Sequence, residues 1–125
     1  MHIYANIMKS DSVILSKTKG FALRIVRLYS YLKDRKREYV ISKQVLRSGT
    51  SIGANAKEAS VAQSRPDFYS KLHISLKEAA ETEYWLELLY ESGYLEKKYY
   101  DSIHNDCQEI LKILTSIIKT KFNTM

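Results

Sequence analysis

The nine residues Arg47-Ser48-Gly49-Thr50-Ser51-Ile52-Gly53-Ala54-Asn55 constrain this chain more than any other stretch. They lie inside a longer segment, Glu38 to Glu91, whose apolar residues keep a helical period. At about 100° per residue, Ile41, Val45, Ile52, Ala56 and Ala59 fall on one stripe, the expected core face of a helix. Arg47, Ser51, Asn55 and Glu58 recur at the same spacings and form a polar stripe about a quarter-turn or more away. Gly49 and Gly53, four apart, flank the apolar stripe on its other side. Two mid-helix glycines cost about 1 kcal/mol each relative to alanine. A second helix whose backbone approaches over that bare patch offsets the cost. The alternative is a backbone surface offered to a ligand, and packing is the preferred reading. Lys43, Arg47, Lys57 and Glu58 interrupt any membrane-like run.

Three further helices follow from periodicity and punctuation. The first spans about 16–34, with Ser16 or Thr18 as its cap and Phe21, Ile25, Leu28 and Leu32 inward, widened by Ala22, Val26 and Tyr29. The second runs from about 38 to 62. Ser64-Arg65-Pro66-Asp67 marks a start: serine at the N-cap, proline in the first turn, and an acid three residues after the serine. The third helix, 65–92, carries Phe68, Leu72, Leu76, Ala79, Leu86 and Leu89 at heptad-like spacing. Gly93 ends it, with Tyr94 and Leu95 folding back as an apolar closure. The fourth, 96–122, places Ile103, Cys107, Ile110, Leu114 and Ile117 on one stripe, widened by Leu111, Ile113, Ile118 and Phe122. That exceeds the three positions in about seven that a four-helix bundle needs, so burial on two sides and a subunit interface are expected. Short connections favour antiparallel neighbours. The fold class expected is all-α: an up-down-up-down antiparallel four-helix bundle over residues 16–125, preceded by a loosely ordered arm at 1–15.

Chemistry is sparse. The lone Cys107 excludes an internal disulfide and sits on a core stripe, where it reads as a small hydrophobe. His2, His73 and His104 match no metal-ligand spacing, and the chain lacks the paired Glu-x-x-His strings of di-iron bundles. Glu78, Glu81 and His104 are the one group that helices 3 and 4 could bring together. The glycines match no phosphate loop. No enzyme, metal or cofactor is expected. No apolar run approaches a membrane span, and Met1 to Lys9 lacks the apolar core of a signal peptide, so the expected compartment is the cytoplasm.

Charge is informative. The net charge of +6 is unevenly distributed. Residues 1–65 hold 13 Lys and Arg against 4 Asp and Glu, whereas residues 66–125 hold 7 against 10. Such asymmetry suggests a polyanion partner or self-association of unlike faces. Arg24, Arg27, Tyr31 and Arg35 fall within an arc of about 80° on helix 1, off its apolar sector. They form a candidate ridge for a phosphate backbone, extended by Lys36, Arg37 and Lys43 around the helix 1–2 connection. Arginines suit bidentate phosphate contact, and Tyr31 or Tyr39 offers a stacking plane. No sequence-reading motif is present, so binding of RNA or DNA is expected to be electrostatic and weakly specific. The polar stripe Arg47, Ser51, Asn55 and Glu58 reads first as a structural network with Glu81 and Tyr84. Trp85 and the tyrosines read as core and interface material.

The string Arg47 to Asn55, with Glu58-Ala59, Gln63-Ser64, Phe68, Lys71-Leu72, Lys77-Glu78-Ala79, Glu81-Thr82, Tyr84-Trp85-Leu86 and Gly93-Tyr94-Leu95, resembles a bacterial family. It is the four-helix-bundle family named after the intervening sequences of 23S ribosomal RNA genes, related to accessory proteins of diversity-generating retroelements. The resemblance covers about Phe21 to Lys121. It implies a four-helix subunit, a homopentameric ring with basic surfaces, and association with nucleic acid or with a reverse transcriptase. Two functions stand as expectations. One is a non-catalytic accessory protein that binds nucleic acid; the other is a protein-binding scaffold that docks a partner such as a reverse transcriptase.

Overall fold

Heptad-spaced apolar residues interrupted at three short polar breaks produce four helices. The computed structural model describes residues 12–123. Helix α1 spans Ser12–Asp34, α2 Ile41–Ser60, α3 Arg65–Glu91 and α4 Lys97–Asn123. No strand occurs among the described residues. Each helix packs on the next and α4 packs back on α1, closing a four-membered cycle around one core. Short connections make neighbours antiparallel. The 35–40 connection and the 92–96 turn therefore lie at one end of the bundle, and 61–64 at the other.

Helix α1 starts at Ser12 rather than near Ser16, so residues 12–15 belong to the bundle and not to an arm. Ile14 continues the Phe21, Leu28 repeat of seven and is fully buried. Thr18 is a mid-helix residue, not a cap; its hydroxyl donates to the Ile14 carbonyl at 2.8 Å. The remainder of the expected arm, residues 1–11, lies outside the described residues.

Helix α2 starts at Ile41, three residues later than the periodicity suggests. Arg37, a non-glycine at φ 54°, turns the chain out of α1. The Glu38 carboxylate then accepts from the N–H groups of Val40, Ile41 and Ser42 at 3.2, 3.1 and 2.7 Å. A carboxylate thus satisfies the first N–H donors of α2 and faces the positive end of its dipole. Burial works against the Glu38 charge, but the donors of Ser42, Ile41 and Val40 outweigh it and hold its pKa below the ordinary range.

The third helix follows expectation at both ends. Ser64 Oγ accepts from the Asp67 N–H at 3.2 Å. At the other end Gly93 has φ +90°, and Gly93 and Tyr94 donate back to the carbonyls of Tyr90 and Leu89 at 3.0 and 2.9 Å. These are the two bonds of a Schellman motif, and Leu95 closes over it buried. Along α3 the buried line is Phe68, Leu72, Ser75, Ala79, Thr82, Leu86 and Leu89. Two hydroxyl residues take the places that apolar reading alone could not fill, and Leu76 sits only half-buried. Ser75 Oγ donates to the Ile52 carbonyl at 2.7 Å, and Thr82 Oγ1 lies 2.8 Å from Ser48 Oγ. Both therefore satisfy themselves across the α2–α3 seam.

The glycine patch is filled from within the chain. A Cβ on Gly49 would lie 2.7 Å from Ile25 Cγ1, and one on Gly53 would lie 3.3 Å from the Thr18 carbonyl oxygen. Helix α1 is the close neighbour, so the patch is not an open surface for a second subunit. Much of the apolar excess of α4 is also absorbed internally. Ile118 is buried, while Leu111 and Ile113 are half-buried against the core. The side chain of Phe122 lies outside the described set. The aliphatic residues left exposed on α1 are Val13, Leu23 and Val26, with Tyr31 the one large aromatic beside them.

Candidate functional site

Among the described residues some cations are tied to carboxylates and others are not, and five of the latter lie together where α1 gives way to α2. Arg24 belongs to the first group. Its Nη1 donates to Asp106 Oδ2 at 2.7 Å, and its guanidinium lies 5.4 Å from the centroid of the Tyr99 ring. With its side chain only 25% exposed, Arg24 braces α1 against α4 instead of standing on an outward ridge. Its position explains this: it is four residues from Leu28 and lies at the margin of the apolar sector, where α4 passes. Lys17 makes a parallel ion pair with Glu109 on the same seam.

The remaining ridge residues stay together. Arg27, Tyr31 and Arg35 are exposed along the last turns of α1, and Lys36, Arg37 and Lys43 are exposed around the connection and the start of α2. Among the described residues, none of the five cations Arg27, Arg35, Lys36, Arg37 and Lys43 forms an ion pair with a carboxylate. Lys36 Nζ sits 6.0 Å from the Tyr31 ring centroid, a distance at the limit of a cation–π contact. Tyr39 in the connection is half exposed. Asp34 is the last residue of α1, and Glu38 is committed to capping α2. The cluster shares this end of the bundle with Glu91 and Glu96 at the α3–α4 turn, and Glu96 lines one cleft with Arg27.

The polar stripe of α2 is structural. Arg47 Nη1 lies 3.2 Å from Glu78 Oε2, and Arg47 Nη2 also pairs with Glu81 Oε2. The Trp85 indole N–H donates to that same Glu81 oxygen at 2.9 Å. The Trp85 and Arg47 donors together hold the Glu81 carboxyl below the ordinary carboxylate range. Glu58 pairs with Lys71 of α3 at 3.2 Å. Between these ends, Ser51 Oγ donates to the Arg47 carbonyl and Asn55 Nδ2 to the Ser51 carbonyl, at 2.6 and 2.9 Å. The stripe therefore bridges α3 at its two ends and folds onto its own helix in the middle. Tyr84 does not join it; it is exposed and meets Trp85 edge-on, with centroids 5.1 Å apart.

Among the described residues, Glu78, Glu81 and His104 do not form one group. Glu78 and Glu81 turn toward α2, so His104 meets Glu83 instead, with Nε2 3.1 Å from Oε2. Tyr90, Tyr100 and His104 form a stack with centroid spacings of 4.4 and 5.0 Å. Burial, with Glu83, Asp106 and Glu87 nearby, pushes the Cys107 thiol up to about 12, where a thiolate nucleophile is unavailable. Among the described residues no group of three or more His, Cys, Asp or Glu can hold a metal ion. His2 lies outside the described residues. No helix among the described residues is long and apolar enough to cross a membrane.

Comparison with known proteins agrees with the resemblance read from the sequence. The family model for the 23S rRNA-intervening sequence protein matches residues 10–116. A crystal structure of a protein of unknown function from the S23 ribosomal protein family of Bacteroides thetaiotaomicron is similar at 59% identity and a TM-score of 0.86, covering 87% of this chain and 97% of that one. No curated protein matches the chain.

Proposed function

The chain belongs to the family of the 23S rRNA-intervening sequence protein, and from that premise we propose that it is a non-catalytic accessory protein that binds RNA or DNA by backbone electrostatics. The observation that carries this reading is the group Arg27, Arg35, Lys36, Arg37 and Lys43. All five are exposed, unpaired among the described residues, and clustered at the bundle end where α1 leaves and α2 begins. Phosphates neutralised by such cations release counterions, so affinity falls steeply with salt. Arg24 is not part of the contact surface in this reading, because Asp106 and Tyr99 already hold it.

Self-association is part of the same proposal. The apolar side chains Val13, Leu23 and Val26 exposed on α1 offer a surface to further copies, and family resemblance suggests a ring of five. Repetition of the basic end around an axis would add weak contacts into useful avidity. The cytoplasm is the compartment this reading assumes. A salt series of binding to random single-stranded RNA and to duplex DNA tests the proposal. A steep log–log slope supports it, whereas no binding even at about 50 mM salt favours a protein-docking scaffold, for example for a reverse transcriptase.

A further inference from the structure

A cleft of about 400 Å³ opens beside the free cations, between α1 and the first turn of α4. Its lining is Arg27, Leu28, Tyr31, Leu95, Glu96 and Tyr99. Leu28 and Leu95 are buried and form the floor; Arg27, Tyr31 and Glu96 are exposed and form the rim; Tyr99 is half-buried between them. The volume lies within the range of small-ligand sites, about 300–1,000 Å³. The chemistry is specific: an apolar floor, two phenol rings, one forked cation and one carboxylate. From the cleft and its lining we infer that it takes one unpaired nucleobase of a single strand, stacked on Tyr31 with its polar edge between Arg27 and Glu96. This inference rests on the proposed nucleic-acid function and adds a base site to it.

Three observations converge on a base rather than a phosphate alone. Flat aromatic surfaces beside an apolar floor match the faces of a base, and every base has such a face. A guanidinium donor and a carboxylate acceptor at one rim match the mixed donor and acceptor edge that splayed-out bases present. The cleft also adjoins the free cations: Lys36 lies 6.0 Å from the Tyr31 ring, and Arg35 follows Tyr31 by one helical turn. A strand whose phosphates lie along Arg35 and Lys36 would bring a neighbouring base to Tyr31. The Arg24 guanidinium lies 5.4 Å from the Tyr99 ring centroid and braces the second ring from the side of α1. Duplex DNA keeps its bases stacked and cannot supply this group.

The test compares a labelled single-stranded RNA of twelve or so nucleotides with an otherwise identical strand whose central nucleotides are abasic. Both carry the same phosphates. The wild-type chain is expected to bind the base-bearing strand about tenfold more tightly, with the same salt slope for both. Tyr31→Ala should erase that preference without altering the slope, and Tyr31→Phe, which keeps the ring, should retain it. Tyr31 is an exposed helical residue, so both variants should keep the helicity and melting temperature of the wild type. Equal wild-type affinity for the two strands, or a preference that survives in Tyr31→Ala, overturns the base site and leaves electrostatic binding in place. Absence of salt-dependent binding to either strand overturns both.

Discussion

Gly49 of α2 lies against Ile25 of α1 so closely that a Cβ at position 49 would fall 2.7 Å from Ile25 Cγ1 and 2.9 Å from Cγ2. Ile25 is fully buried and β-branched, so it has little room to yield. The most recognisable part of the sequence is thus a packing device. Gly49→Ala should destabilise the fold by about 1–2 kcal/mol, since overpacking outweighs the helix-propensity gain. Gly20 is the control, because a Cβ there meets nothing within 4 Å. Gly20→Ala should raise stability by about 1 kcal/mol. Adding Ile25→Ala to Gly49→Ala should cost less than the two changes summed. Denaturant melts of wild type, Gly49→Ala, Gly20→Ala, Ile25→Ala and the double variant check this, and equal gains at both glycines would contradict the close approach.

Glu38 makes the start of α2 sensitive to acid. Its pKa in the folded chain is lowered from the ordinary 4.5. The charged form is therefore the one that folding favours. Its contribution is fully present above the unfolded value and is lost as the pH falls through the lower folded one. Glu38→Gln should be less stable than wild type near neutral pH, by about 1 kcal/mol as for the loss of a good cap. That difference should shrink once the pH drops below about 4.5. Stability curves for both proteins across this range decide it; a gap independent of pH would remove the carboxylate from the cap.

Trp85 reports on the α2–α3 bridge, because it is the chain's one tryptophan and donates to Glu81. The Glu81 pKa is lowered from 4.5 by the Trp85 and Arg47 donors. Protonation at acid pH should weaken both contacts, so Trp85 emission should shift as the pH falls below about 4.5 while helicity persists. Glu81→Gln should abolish that shift, and Arg47→Ala should move it toward the ordinary carboxylate value. The Arg47 side chain is half exposed, so Arg47→Ala should cost less than about 1 kcal/mol in stability.

Helix number, helix type and most of the core were legible because the apolar repeats are long and the breaks carry strong punctuation. Ser64 and Gly93 fixed both ends of α3 through their own chemistry. The start of α2 was not legible, since a glutamate three residues ahead of a helix seldom serves as its cap. Ser75 and Thr82 escaped the core reading because their burial depends on partners in α2 that a one-helix pattern does not show. The glycine spacing pointed to a close helix, but only the packing identified it as α1. For the candidate site, angular position on α1 grouped Arg27, Tyr31 and Arg35, and all three are exposed on that helix. It failed for Arg24 because an arc on one helix says nothing of the acidic neighbour, Asp106, that α4 brings alongside. The cleft depends on Leu95, Glu96 and Tyr99, far away in sequence, and no spacing rule could have found it.

The most direct measurement of the central claim is the salt dependence of RNA binding in two variants. The first replaces Arg27, Arg35 and Arg37 together by glutamine; the second is Arg24→Gln alone. If each free arginine neutralises one phosphate, the triple variant should lower the log–log slope by about two to three units. Helicity should be unchanged. Arg24→Gln should leave the slope near wild type and instead lower the melting temperature, because it loses its contacts with Asp106 and Tyr99. An unchanged slope and affinity in the triple variant would contradict the account and assign this end of the bundle to solvent or to a protein partner.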